Sequence, residues 1–289
     1  MCRIAAYMGS VPVVLSTVLE KPENSLIQQS ISCREDSTIK VNADGFGLGW
    51  YNHDISKIPA TFKSTQPAWN DLNLRDLGSL VRSKCFLAHI RASIIGHVSH
   101  DNCHPFRIGD FLCVHNGEID GFARIRYHLQ RLLPKEILDH IRGQTDSEYV
   151  FALMMYYYGR SSENKSVLHR LSIAFNLALS QLQCLLEAEG VNNHKSTINL
   201  VITNGYDMFA SRFGSWHHSA KVNKSLYFLQ GDMLDFSEPN FKVLTKRKRP
   251  KFTMLASEKI VPDESAWQMI PANHFFLLRH SQKYDIVSI

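Results

Sequence analysis

Met1-Cys2-Arg3-Ile4-Ala5-Ala6-Tyr7-Met8 opens the chain, and from Ile4 to Met8 it is apolar. A run this short, without helical spacing, reads as a buried strand over Arg3–Met8. Cys2 directly precedes it. Methionine is removed from chains whose second residue is small, which would leave a thiol and an α-amino group on one residue. An α-amine titrates near ~7.7–8.0, so it can accept a proton at neutral pH. A thiol with a base beside it is an activated nucleophile that needs no separate histidine. Alone, a cysteine at position 2 is more often incidental, so its meaning depends on the rest of the chain.

Working outward, residues 23–31 read as a short helix, and residues 42–47 (NADGFG) as a turn into a strand over Leu48–Asn52. Asp71–Ser83 has helical spacing, and Cys85–Arg91 and Phe111–His115 read as buried strands. Phe122, Ile125, Leu129 and Leu132 share one helical face. A second helix begins near Asp146 and runs to Tyr158, with Thr145-Asp146-Ser147-Glu148 supplying a cap and acidic first-turn charge. A third carries Leu168, Leu171, Phe175, Leu179, Leu182 and Leu186. Strands return at 198–203, 207–213, 225–230, 252–256 and 275–279. Strands, then helices, then strands predict an α+β arrangement of two sheets with helices outside, and argue against alternating βαβ units.

The chain has 289 residues and a net charge of +5, too mild a basic excess to imply nucleic acid. No repeat or linker divides it, so residues 1–289 read as a single domain. Its six cysteines form no Cys-x-x-Cys pair, which points to a reducing compartment and no disulfide framework. No apolar run approaches the ~20 residues of a membrane helix, and Val11–Leu19 is too interrupted for a signal peptide. The expected location is cytoplasmic.

Three further segments are chemically suggestive, each with a plain alternative. Arg91, in His89-Ile90-Arg91-Ala92-Ser93, is either a surface arginine or a fork for a carboxylate. Asn116-Gly117, after a buried strand, is either a tight turn or an amide and backbone N–H donor pair for an oxyanion. Asp146 is either a helix cap or a partner for a ligand ammonium. Asn102-Cys103-His104-Pro105-Phe106 has less obvious chemistry.

In this order and spacing, Cys2, Arg91, Asn116-Gly117 and Asp146-Ser147-Glu148 resemble the class II glutamine amidotransferases over essentially the whole chain. Met1-Cys2-Arg3, residues 42–47, Asn102-Cys103-His104-Pro105-Phe106, Ala256-Ser257-Glu258, Trp267 and Ile270-Pro271 look like the small stand-alone members. These include the glutathione-degrading subunit that works with a peptidase-like partner, and the γ-glutamyl hydrolase of the ergothioneine pathway. The resemblance implies the four-layer αββα sandwich of N-terminal-nucleophile hydrolases, removal of Met1, and cleavage of a γ-glutamyl amide through a Cys2 thioester. It makes Asn116 and Gly117 the oxyanion donors, Arg91 the holder of the α-carboxylate, and Asp146 that of the α-ammonium. It calls for no metal or cofactor. A peptidase-like or synthase partner and self-association are compatible with it, as is an ammonia-supplying role. The family's threonine three residues after the arginine is replaced by Ile94.

Other patterns read as structure. His97, His100, His104 and His115 lack the spacing of zinc ligands. Lys246-Arg247-Lys248-Arg249-Pro250-Lys251 reads as a solvated loop rather than a targeting signal, and Tyr156-Tyr157-Tyr158 as core and interface. Cysteine acylases of the choloylglycine type need an arginine and an aspartate where Val18 and Lys21 stand. An inactive binding subunit is disfavoured by the intact Cys2, Asn116 and Asp146.

Overall fold

Alternate residues along the strands divide the interior into layers, because successive side chains of a strand point to opposite faces. The computed structural model describes residues 2–34, 41–92, 95–191, 195–214, 224–235, 242–244, 250–261 and 266–289. Along the chain run β1 (Arg3–Val14), α1 (Ser16–Leu19), α2 (Leu26–Ile31), β2 (Phe46–Asn52), β3 (Ser56–Ser64), α3 (Leu72–Leu80), β4 (Arg82–Ile90), β5 (Phe106–Ile108), β6 (Phe111–Glu118), α4 (Phe122–Leu132), α5 (Lys135–Leu138), α6 (Asp146–Arg160), α7 (Val167–Ala188), β7 (Thr197–Thr203), β8 (Met208–Phe213), β9 (Tyr227–Gly231), β10 (Met233–Asp235), β11 (Lys242–Leu244), β12 (Phe252–Ala256), β13 (Gln268–Met269), β14 (His274–Leu278) and β15 (Tyr284–Ser288).

Two antiparallel sheets carry the site. One has the order β13-β9-β12-β1-β4-β2-β3 and the other β15-β14-β8-β7-β6-β5. Ile4, Ala6, Met8, Leu87 and Leu255 of the first meet Leu112, Val114, Val201, Ala210 and Phe276 of the second in a core between the sheets. The alternating residues Ala5, Tyr7, Phe86, Ala88 and Met254 face outward, onto Leu15, Val18, Leu26 and Leu74 of the first helical layer. Cys113, Ile198, Leu200, Ile202 and Phe275 likewise face Ile125, Leu129, Phe151, Leu171 and Phe175 of α4, α6 and α7. Three cores between four layers make the αββα sandwich.

The helices start where their caps place them. The Thr145 side chain accepts from the Glu148 N–H and opens α6, and Asp71 does the same from Leu74 for α3. Of the described residues, α7 alone is long and apolar enough to cross a membrane by length and composition, which the reading of apolar runs overlooked. Its Leu171, Phe175, Leu182 and Leu186 face is buried against the second sheet.

Several boundaries differ from the sequence expectation. β1 does not stop at Met8 but continues to Val14, across a register irregularity between Met8 and Val13. Pro12 falls in that break, where no ladder hydrogen bond is asked of it. β3 escaped prediction because its sequence is polar and contains Pro59. It is an edge strand, where both are tolerated. Asn116 and Gly117 form no turn: they lie inside β6, opposite Asn199 and Ile198 of β7.

Candidate active site

The strand alternation that builds the central core also selects the residues at its end. Cys2 precedes Ile4 and Ala6, and His89 and Arg91 follow Cys85 and Leu87, all in the series that faces the second sheet. Asn116 follows Leu112 and Val114, in the series that faces back. Cys2, Arg91, Asn116, Gly117 and Asp146 line one cavity of about 40 Å³ at this end of the sandwich. Every residue nominated from the sequence is therefore brought together, by β1, the end of β4, β6 and the start of α6.

The Cys2 sulfur lies against the Ala92 backbone, 3.4 Å from its N–H and 3.3 Å from its carbonyl. The Cys2 carbonyl accepts from Arg3 Nη1 at 2.9 Å. Arg3 Nε in turn lies 3.2 Å from Glu258 Oε2, both side chains being buried. The Glu258 carboxylate also accepts from Asn24 Nδ2 at 3.0 Å and from the Arg34 N–H at 3.2 Å. Cys33 contacts both Arg3 and Glu258. Just beyond β12, Ser257 exchanges hydrogen bonds with Ile4, through its side chain at 2.9 Å and its N–H at 3.1 Å. The nucleophile candidate is thus held by residues more than 250 positions away. Arg3 and Glu258 each stand in a stretch singled out from the sequence, Met1-Cys2-Arg3 and Ala256-Ser257-Glu258, but nothing there signalled that they pair.

Arg91 is buried, and its guanidinium donates to the carbonyls of Ile95, Gly96 and His97 at 3.1–3.3 Å. Ser93 and Ile94, between them, lie outside the described residues, as do residues 245–249 of the basic run. Asp146 is buried with Oδ2 accepting from the Ile119 N–H at 2.7 Å and Oδ1 from the Ser147 N–H at 2.8 Å. Burial raises its pKa. The Ile119 and Ser147 hydrogen bonds and the Lys224 charge oppose that shift. Asp146 is therefore both a first-turn residue of α6 and a carboxylate aimed at the cavity.

Gly117 is required by close approach rather than by turn geometry. A Cβ there would overlap the Thr197 carbonyl of β7 and the His115 ring. β5 pairs only with Phe111–Cys113, so the edge of β6 over residues 114–118 has no strand beside it among the described residues. Every second N–H along that edge points away from β7, a source of backbone donors at the cavity.

Three histidines cluster here: His104 and His115 line the cavity, and His89 touches both. His115 Nδ1 is 2.8 Å from Ser147 Oγ and its Nε2 is 3.3 Å from the Thr197 carbonyl. Ser147 Oγ in turn donates to Asp146 Oδ1 at 3.3 Å, so its hydroxyl links the His115 ring to that carboxylate. Burial pulls the pKa of His115 and of His89 down to about 3, so both rings are neutral. His89 Nε2 is 3.2 Å from the His115 carbonyl, and the His104 ring lies 4.0 Å from the His89 ring. His97 and His100 are exposed and do not join them. Among the described residues no group of three His, Cys, Asp or Glu side chains is placed to hold a metal ion. All six cysteines are free thiols.

Residues 15–288 match the family of class II glutamine amidotransferases, and the chain belongs to it. Among its relatives is the probable glutamine amidotransferase DUG3 of Saccharomyces cerevisiae, 29% identical over 96% of this chain and 82% of that protein. Another is the gamma-glutamyl-hercynylcysteine sulfoxide hydrolase of Mycolicibacterium smegmatis, 24% identical over 96% of both. Solved structures share the fold. A glutamine aminotransferase class-II domain protein from Silicibacter pomeroyi matches along the whole of both chains with a TM-score of 0.66 and 22% identity. The glutamine phosphoribosylpyrophosphate amidotransferase of B. subtilis matches 98% of this chain and 49% of its own, with a TM-score of 0.60 and 13% identity.

Proposed function

We propose that this chain, acting as a single catalytic unit, hydrolyses a γ-glutamyl amide through a thioester on Cys2. The observation that carries the reading is the convergence of Cys2, Arg91, Asn116, Gly117 and Asp146 on one cavity. The names of two relatives, a glutamine amidotransferase and a γ-glutamyl hydrolase, fit the same chemistry.

In this reading Met1 is removed and the freed α-amine of Cys2 takes the thiol proton. The sulfur forms a bond to the γ-carbonyl carbon while the Asn116 side chain and the Gly117 N–H hold the oxyanion. The amide nitrogen leaves with the proton returned by the α-ammonium, and water then releases glutamate. Arg91 exchanges the Ile95, Gly96 and His97 carbonyls for the substrate α-carboxylate, a bidentate acceptor that matches its fork. The α-ammonium binds Asp146, whose two oxygens still have lone pairs after accepting from Ile119 and Ser147. A cavity of about 40 Å³ holds a few waters at most. Substrate entry therefore draws the Arg91 guanidinium off the carbonyls it now contacts. A peptidase-like partner would consume the released amine and a synthase partner the ammonia. Neither partner, nor self-association, is needed for the hydrolytic step.

The test compares glutamate release from glutamine, glutathione and a simple γ-glutamyl amide with release from the N-acetylated amide, on wild type and Cys2→Ala. Free-headed substrates should turn over and the N-acetyl derivative should not, because capping the ammonium leaves Asp146 unpaired at a cost of roughly 2–5 kcal/mol. Cys2→Ala should be inactive yet folded. Equal turnover of the capped substrate, or an active Cys2→Ala, overturns the reading.

A further inference from the structure

We infer that His104, backed by His89, holds the water that hydrolyses the thioester; this rests on the Cys2 reading above. His104 is 4% exposed and lines the same cavity as Cys2 and Asn116. Neither of its ring nitrogens has a hydrogen-bond partner among the described residues, and nor does His89 Nδ1. Both nitrogens of the cavity-lining His104 ring, and Nδ1 of the His89 ring packed on it, are thus unpartnered among the described residues, whereas buried polar groups are as a rule hydrogen-bonded. Water is small enough for the space and suited to its chemistry, since a neutral imidazole offers one donor and one acceptor.

The His104 ring is held in place. His89 lies 4.0 Å from it on one side and Phe106 4.4 Å on another. His89 is itself tied to the His115 carbonyl. Behind His104, its carbonyl occupies the space a side chain at Gly47 would fill. This wall does not depend on Arg91, so it stays when the glutamyl head draws the guanidinium away from its loop.

Burial holds the His104 pKa well below that of an ordinary histidine, so the ring is neutral and acts as an acceptor rather than as the base. The water places one O–H on a ring nitrogen. Its other proton passes to the α-amine of Cys2 as the O–C bond forms, and the C–S bond then breaks. The departing thiolate recovers that proton from the α-ammonium. Glutamate and the free thiol result, with no other reactant. His104 is a positioning residue for deacylation and has no part in the attack by sulfur.

The experiment separates the two half-reactions with full-length protein and a γ-glutamyl amide substrate. Denaturing quench and intact-mass measurement follow the γ-glutamyl enzyme, and glutamate release follows turnover. His104→Leu should acylate at close to the wild-type rate, accumulate γ-glutamyl enzyme, and release glutamate about 10- to 100-fold more slowly, as for one lost hydrogen bond to the reacting water. Hydroxylamine, a stronger nucleophile that needs less positioning, should restore turnover. His104→Gln, which keeps a donor and an acceptor, should stay near wild type. If His104→Leu does not fold, His104→Asn, whose amide is too short to reach, is read the same way. Equal slowing of both half-reactions, or an unslowed Leu or Asn variant, overturns the inference. Absence of any γ-glutamyl enzyme even in hydroxylamine-free wild type and variant alike would instead fault the Cys2 reading.

Discussion

Asn116 continues the Leu112–Val114 series of β6 that faces the first sheet, and it is buried at the cavity beside a strand edge with no strand neighbour among the described residues. As an oxyanion donor it acts only when charge develops, so Asn116→Ala should lower kcat by roughly 10²–10³ with little change in KM. Steady-state kinetics decide; a change confined to KM makes it a ground-state contact. Arg91 and Asp146 were legible in sequence because a fork beside a strand end and an acid at a helix start are local patterns. Both line the cavity with Cys2, and Asp146 is at the same time a first-turn residue of α6. The Arg3–Glu258 pair and the His115–Ser147 contact were not legible, because they join residues 255 and 32 positions apart whose types are unremarkable singly. The partners of the His104 wall were hidden for the same reason.

At the scale of elements, the sequence located most helices through their apolar spacing and caps, and the buried strands through their apolar runs. The edge strands β3 and β15 were missed, as their exposed, polar sequences carry no such run. Asn116-Gly117 was open to a turn reading because Gly marks turns and close approaches alike; only the Thr197 carbonyl across the ladder distinguishes them. Gly47 teaches the same lesson. It stands in β2 with normal strand pairing to Lys63 and His89, and a Cβ there would overlap the His104 carbonyl. Gly47→Ala should therefore destabilise the protein by about 1–3 kcal/mol, the usual cost of overpacking. Urea unfolding measures it. Unchanged stability would mean that the segment carrying His104 yields freely.

Across the whole molecule, the interior holds imidazoles that cannot charge without cost. His89 and His115 have folded pKa values of about 3, below an unfolded value of 6.5. Between these limits the unfolded chain binds protons that the folded one does not, so stability falls as pH drops below 6.5, by about 1.4 kcal/mol per pH unit for each histidine once fully engaged. Asp146 and Glu148, whose pKa values burial raises, act in the opposite sense at the acid end. The melting temperature should thus decline from pH 7 to pH 5, and His115→Gln should flatten that decline; a level profile in wild type would contradict it. The place of β1 in the middle of its sheet, between β12 and β4, has a consequence for biosynthesis. Cys2 waits for positions 252–258 to be synthesised before its strand is flanked on both sides and Arg3 meets Glu258. Throughout translation the proposed reagent is chemically present but unassembled. An incomplete polypeptide therefore lacks the assembled site, whatever residues it already contains.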